Sequence, residues 1–386
     1  MKLKIGIIDA DLIGRKKHRF PNLACMKIAG YYKGIGCDVD LLLGYNNIVK
    51  YDKVFISKVF TDTHIDEYVL KLPNVEYGGT GFFYDKAEPL PYEIEHHMPY
   101  YDLYKEWVEK RLEEGIKRNE LTYYLDYSIG FTTRGCFRQC AFCINQNYTK
   151  VSRHSNIEEF LDKDRKYICL LDDNVLGCGK WKEIFEELNS TGKRFQFKQG
   201  MDERTLTEDK IKTILSSNYI GDIIFAFDNI KDKNIIENKL KLWRTIDNKK
   251  NMKFYVLCGF DETGNYSDDF WIKDIEDTFE RIKILMKYKC LPYIMRYKEY
   301  DRSPYRGMYI SLARWCNQPS FFKKKSFREF AIANGYKSST MRYLIEFEKN
   351  NPCISKYYFD MKYDCDVKKE KVKLGSVECE QYKWII

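Results

Sequence analysis

The stretch Ser128-Ile129-Gly130-Phe131-Thr132-Thr133-Arg134-Gly135-Cys136-Phe137-Arg138-Gln139-Cys140-Ala141-Phe142-Cys143 joins a strand-like apolar run to a loop with three cysteines. Three thiolates at the spacing C-x3-C-x2-C can each hold one iron of a [4Fe–4S] cube, which leaves the fourth iron without a protein ligand. A small molecule can coordinate at such an open iron and accept an electron there. A fourth cysteine would instead close the cluster into an electron carrier. The chain has 13 cysteines, and chance placement gives this spacing in roughly one or two of a hundred such chains. Zinc is the rival reading of the donor set. Zinc ribbons, however, use paired C-x2-C knuckles with a distant second pair, and no second C-x2-C occurs in the sequence.

Downstream of this loop, strand-like runs recur at Tyr167–Leu171, Phe195–Phe197, Asp222–Phe227, Phe254–Leu257 and Pro292–Met295. Helical patterns separate them. One begins with Thr205-Leu206-Thr207-Glu208, a capping box feeding Ile211, Ile214 and Leu215. Another places Phe279, Ile282, Leu285 and Met286 on one face. Six strands at βα spacing predict an α/β fold over 121–300, a six-stranded partial (β/α)6 TIM-like barrel. Right-handed crossovers then put every post-strand loop, the cysteine loop included, at one C-terminal mouth.

Upstream, Lys4–Ile8, Val39–Leu43, Lys53–Ile56 and Val75–Tyr77 read as strands, with a loop over Asp9–Asn22 and a helix over Leu23–Tyr32. This predicts a Rossmann-like parallel sheet over 1–100. Asp102–Asn119 reads as an amphipathic linker helix within 101–120, with Leu103, Trp107 and Leu112 as its apolar stripe. The paired His96 and His97 before it read as polar linker. The segment 301–386 is expected to be a mostly helical C-terminal extension. Within it, Phe321–Arg328 interleaves aromatic and basic residues, read as a solvated amphipathic helix in preference to a nucleic-acid surface.

The 386 residues include 65 basic and 57 acidic side chains, a formal balance of +8, and 44% hydrophobic residues. No uncharged apolar run of about 18 residues occurs, which argues against a membrane span. The N-terminus lacks a signal-peptide h-region, and so many cysteines without an export signal imply reduced thiols in a cytoplasmic protein.

With aromatic Phe142 directly before the third cysteine, Cys136, Cys140 and Cys143 resemble the signature of the radical S-adenosylmethionine (SAM) superfamily. The resemblance implies that the amine and carboxylate of SAM chelate the open iron. An electron from the cluster then cleaves SAM to methionine and a 5′-deoxyadenosyl radical, which abstracts hydrogen from a substrate. It also implies an electron donor such as flavodoxin or ferredoxin. The substrate stays open among small molecule, peptide and nucleic acid. The superfamily's fold is the same six-stranded partial barrel.

The cofactor-binding residues that the resemblance implies are Phe142, Asp173, Arg204, Gly259 and Glu262. Asp172-Asp173-Asn174 stands where many members carry Gly-Gly-Glu, which accepts from the SAM amine; a helix cap or turn is the alternative. Lys198–Arg204 is similar to the Gln-Gly-Leu-Asp-x-Arg stretch of members with an N-terminal cobalamin-type domain. Arg204 would grip the SAM carboxylate, or else pair with Glu203 or Glu208. Gly259-Phe260-Asp261-Glu262 is similar to the end of the G-x-I-x-G-x-x-E motif beside the adenine, where Gly259 permits close backbone approach. Asp228 would meet a ribose hydroxyl or cap a turn.

The N-terminal segment resembles the cobalamin-binding domain found before many radical SAM cores. That domain carries Asp-x-His-x-x-Gly, whereas here Asp9 is followed by Ala10, Asp11, Leu12, Ile13 and Gly14, with His18 out of register. A domain of that shape without histidine-ligated cobalamin is therefore expected. Asp9 and Asp11 beside Arg15-Lys16-Lys17 are open to substrate binding or plain solvation. Among other cysteines, Cys169 reads as core and Cys178 as a loop thiol near the mouth. Cys258, Cys290, Cys316, Cys353, Cys365 and Cys379 are too dispersed for an auxiliary cluster. A non-catalytic iron–sulfur or zinc protein is the second function class.

Overall fold

The computed structural model describes residues 2–16, 18 and 20–363; Lys17, Cys365 and Cys379 lie outside them. Strands β1 (Lys4–Asp9), β2 (Asp38–Leu41), β3 (Lys53–Ser57) and β4 (Val75–Gly78) form a parallel sheet in the order β2-β1-β3-β4. Chain order reverses between β1 and β3, as in doubly wound sheets. From Ile5 to Asp9, β1 is buried throughout, which is why it reads as a continuous apolar run. The loop expected over Asp9–Asn22 holds a short helix, Ala10–Gly14, because the Asp9 carboxylate accepts the Leu12 N–H at 3.2 Å.

Strand β5 (Tyr127–Gly130) leads into a small hairpin of β6 (Thr133–Arg134) and β7 (Ser152–Arg153), which closes the base of the cysteine loop. Strands β8 (Tyr167–Leu170) and β9 (Arg194–Phe197) continue a parallel sheet in the order β5-β8-β9. A further parallel sheet contains β10 (Ile223–Ala226), β11 (Met252–Cys258) and β12 (Leu291–Arg296), again in chain order. Parallel bridges at Phe195–Tyr219 and Met201–Phe225 join the two. Along β11, Met252, Phe254, Val256 and Cys258 are buried while the residues between them are half-buried, the period of two expected of a strand. The outer edge at β12 is covered by Asn317, whose side chain accepts from the Ile294 N–H at 2.7 Å and donates to its carbonyl at 3.1 Å.

Four local expectations shift. The strand expected through Thr133 stops at Gly130, because the backbone N–H groups of Thr132 and Thr133 donate to Asp172 instead of a ladder. The linker helix is Lys105–Glu113 only; Gly115 at φ +87° ends it in a Schellman arrangement, with Ile116 N–H on Arg111 and Gly115 N–H on Leu112, both at 3.0 Å. Helix Glu208–Ser216 is capped by Thr207, since Asp202 and a tight turn over Glu203–Thr205 precede it. In the C-terminal helices Phe322 and Phe327 are buried, and Trp315 Nε1 donates to the Lys325 carbonyl at 2.9 Å. The aromatic residues of that basic segment therefore belong to the core.

One apolar cluster crosses the expected linker. It runs from Ile5, Ile7 and Phe55 through Leu103, Tyr104 and Val108 to Ile129 and Cys169, so the N-terminal sheet and the β5-β8 face share buried surface. Beside it lies a polar node. Glu95 Oε1 accepts from Lys27 Nζ at 2.9 Å and hydrogen-bonds His154 Nε2 at 3.0 Å, and Arg134 approaches at 3.4 Å. His96 pairs with Glu159 at 2.7 Å in the same region. Among the described residues no helix is long and apolar enough to cross a membrane.

Burial opposes the charge of Glu95, but His154 and Lys27 outweigh it and hold the carboxyl at about 2. A depressed folded value means stability that is present above the ordinary carboxylate value and lost as pH falls towards 2. Glu95→Gln leaves Lys27 buried without its counter-charge and should cost about 3 kcal/mol near neutral pH. Urea midpoints of the two proteins should converge as pH drops through that interval; a gap independent of pH would show that the pair contributes no electrostatic stability.

Candidate functional site

The cysteine loop leaves the C-terminal end of β5, and its shape is set by two neighbouring acids at the end of β8. Asp172 is buried. Its Oδ1 accepts from the Thr132 hydroxyl at 2.5 Å, the Thr133 N–H at 2.6 Å and the Thr133 hydroxyl at 2.7 Å, while Oδ2 accepts the Thr132 N–H at 3.0 Å. Burial pushes its carboxyl upward, and these four bonds oppose that. Asp173 grips the loop itself, accepting the Gly135 N–H and the Asn145 Nδ2 donor, each at 2.8 Å. Gly135 sits at φ +92°, and a Cβ there would lie 2.5 Å from the Lys150 carbonyl oxygen. No other residue fits that crossing of the two arms of the loop.

The three thiols are half-buried. Asn174 Nδ2 points at Cys136 Sγ from 3.5 Å, and the Asn145 N–H points at Cys143 Sγ from 3.4 Å. Such donors stabilise thiolates that ligate metal. Burial, reinforced by Cys143, pushes Cys140 up to about 11, and burial likewise raises Cys143. Metal uptake by these groups therefore releases protons. Among the described residues no three Cys, His, Asp or Glu side chains are gathered around a single ion position. A cube, by contrast, spreads its thiolates over three irons. A soft three-sulfur donor set with N–H donors on two sulfurs fits a [4Fe–4S] cube.

Next to Cys140 opens a cavity of about 460 Å³. Cys140, Phe142, Arg204 and Glu262 all line it, together with Asp228, Phe260 and Arg281. The Phe142 ring meets Phe260 edge-on at 5.5 Å, and Phe260 meets Tyr297 at 4.8 Å. Glu262 is exposed at the rim. Asp173 and Gly259 are not among the lining residues. Both Asp173 oxygens hold the loop, and Gly259, at φ +76°, has Tyr300 beside it and donates its N–H to Asp274 at 2.7 Å. Cys178 is buried in the core.

Arg204 is engaged on two sides, donating from Nε to Asp202 and from an Nη to Asp232, each at 2.7 Å. It pairs with neither Glu203 nor Glu208. Asp202 also accepts from Arg138 Nε at 2.5 Å, so one buried carboxylate ties the cysteine loop to the end of β9. Arg281 is buried and donates to the carbonyls of Phe227, Asp228 and Leu257, fixing the ends of β10 and β11. Its signal in the sequence is a charge on the buried face of helix Asp268–Lys287, between Thr278 and Ile282. Tyr84, also missed, reaches over from the N-terminal segment. Its hydroxyl donates to the Phe142 carbonyl at 3.1 Å, and Asn147 Nδ2 donates to the Asp85 carbonyl at 2.8 Å. Tyr84 has φ +48° and ψ −115°, a strained conformation for a bulky residue.

No protein-family model and no curated protein sequence matches the chain. Similar solved structures include the cobalamin-dependent S-adenosylmethionine radical enzyme OxsB with aqua-cobalamin and S-adenosylmethionine bound, at 11% identity and a TM-score of 0.37. The same enzyme with aqua-cobalamin bound gives 11% and 0.36, and its apo form gives 12% and 0.37. The alignments cover 92–94% of this chain but only 56–57% of the OxsB chain.

Gly135→Ala and Asp173→Ala should each destabilise the closed loop by about 1–3 kcal/mol. The expected result is faster alkylation of the half-buried loop thiols in the native protein, with an unchanged far-UV circular dichroism spectrum. A wild-type alkylation rate in Asp173→Ala would mean that the carboxylate is not what holds the loop.

Proposed function

We propose that this chain is a radical SAM enzyme. In this reading the two three-stranded parallel sheets form one partial barrel, and Cys136, Cys140 and Cys143 hold a [4Fe–4S] cluster at its mouth. The observation that carries the proposal is the cysteine loop at the end of β5, opening onto a cavity built from the ends of β10 and β11. Held by these three thiolates, a bound cluster would supply the electron for reductive cleavage of SAM, and the chemistry so provided would be hydrogen abstraction from a substrate.

The chain's own residues would bind, orient and shield. Asp172 and Asp173 hold the loop closed around its three thiolates. Phe142 and Phe260 give the cavity an apolar wall that excludes water from a reactive group. Arg204 offers a guanidinium to a carboxylate, for which its partly exposed partner Asp232 must move aside. Asp228 and Glu262 place acceptors in the same cavity. The electron comes from a carrier such as flavodoxin or ferredoxin. The substrate belongs to an unassigned class.

Cobalamin has no place in this reading. The loop after β1 offers no imidazole at the ligand position. His18 is turned inward, 2.6 Å from the Tyr124 hydroxyl and 3.9 Å from Asp9, and burial lowers it to about 4.

Anaerobic reconstitution should give about four irons per chain, and replacing Cys136, Cys140 and Cys143 together by Ala should abolish them. Reduced holoprotein given SAM should form 5′-deoxyadenosine. A full cluster that never yields this product would favour a non-catalytic iron–sulfur protein. Full iron in the triple variant would place the cluster elsewhere.

A further inference from the structure

We propose that the outer face of the cysteine loop is the docking surface for a small acidic one-electron carrier protein. This rests on the radical SAM reading, because it is the cluster's need for an external electron that gives the surface its use.

The charge pattern comes first. Between 134 and 153 the chain carries Arg134, Arg138, Lys150 and Arg153 and no Asp or Glu, in a protein whose basic and acidic residues are otherwise closely matched in number. Arg138 is paired, but its partner lies behind it: the Asp202 side chain is 5% exposed and that of Arg138 32%. Arg134 likewise is 36% exposed against 14% for Glu95. In both pairs the anion is the less exposed member and the cation the more exposed one. Lys150 is exposed, with no ion pair among the described residues. Arg153 is the exception, since its partner Glu187 is the more exposed member.

The apolar pattern coincides with it. Phe137, Ile144 and Tyr148 are each more than a third exposed, unusual for large side chains on so short a loop. Arg138 stacks 4.9 Å over the Phe137 ring. The two arms of the loop lie side by side: Tyr148 and the Lys150 carbonyl pack at Gly135, and Phe137 and Val151 meet at Gly177. Phe137, Tyr148 and Lys150 thus stand exposed on the adjoining arms of the loop that carries Cys136 and Cys143, while Arg134, Arg138 and Arg153 flank them, each drawn to a different partner. An acidic partner would find charge to steer it and apolar area to hold it. The cavity is lined instead by Cys140, Ala141 and Phe142, so carrier and cavity ligand need not compete. In the step itself one electron leaves the carrier, which is oxidised by one unit. It enters the cluster, which is reduced by one unit, and no bond is made or broken.

The test uses the reconstituted full chain and compares reduction of its cluster by reduced flavodoxin and by dithionite. The flavodoxin rate should fall with added salt. In Lys150→Glu it should fall roughly three- to tenfold, the size of a rim-charge effect on association, while dithionite reduction and iron content stay as in the wild type. A salt-independent flavodoxin rate, or an unchanged rate in Lys150→Glu, overturns the docking surface. If Lys150→Glu fails to retain iron, the wild-type salt dependence decides alone. The underlying reading fails differently, by an absence of 5′-deoxyadenosine when dithionite is the reductant.

Discussion

Two adjacent carboxylates at the end of β8 govern the site. Asp172 takes the backbone N–H groups and hydroxyls of Thr132 and Thr133, and Asp173 takes the Gly135 N–H and the Asn145 amide. A buried carboxylate keeps its charge at little cost only when donors surround it, and the donors around Asp172 belong to the segment that must leave β5 and turn. The same bonds that make Asp172 affordable therefore end the strand and start the loop. Without them, Thr132 and Thr133 would have unsatisfied N–H groups in a buried setting, and nothing would hold the cysteines at a fixed place above the sheet.

A second layer of charge ties that loop to the rest of the mouth. Asp202 stands between Arg138 of the loop and Arg204 at the end of β9, and Asp232 takes the far side of Arg204. Arginine suits such a chain because its rigid fork serves two partners at once. Removal of the central anion would leave two cations facing each other. Arg281 plays a parallel part on the other side, binding three strand-end carbonyls from a buried position. Loop, strand ends and cavity wall are thus one connected assembly.

The N-terminal segment is joined to this assembly by an apolar cluster shared with β5 and β8, and by two hydrogen bonds from the Tyr84–Asp85 region to the cysteine loop. A strained backbone at Tyr84 survives only where its surroundings fix it.

Much of this was legible in the sequence, since strands buried on both faces must read as apolar runs: every strand expected outside the hairpin is present, within a few residues. The cysteine spacing stood out for a chemical reason, as three soft donors on a short loop have few other uses. Phe142, Arg204 and Glu262 do share a cavity with Cys140, because loops after parallel strands gather at one end. Hydrogen-bond partners were not legible, since they depend on which side chains meet across distant segments. Asp173 read as a ligand contact, yet its oxygens meet Gly135 and Asn145. Gly259 read as a close approach to a ligand, yet its neighbour is Tyr300. Arg281 and Tyr84 come from regions with no motif at all. Composition and periodicity determined which segments would be strands and where the thiols would stand; only tertiary structure decided which carboxylates hold the loop and which face the cavity, because that choice is made by contacts between residues tens of positions apart.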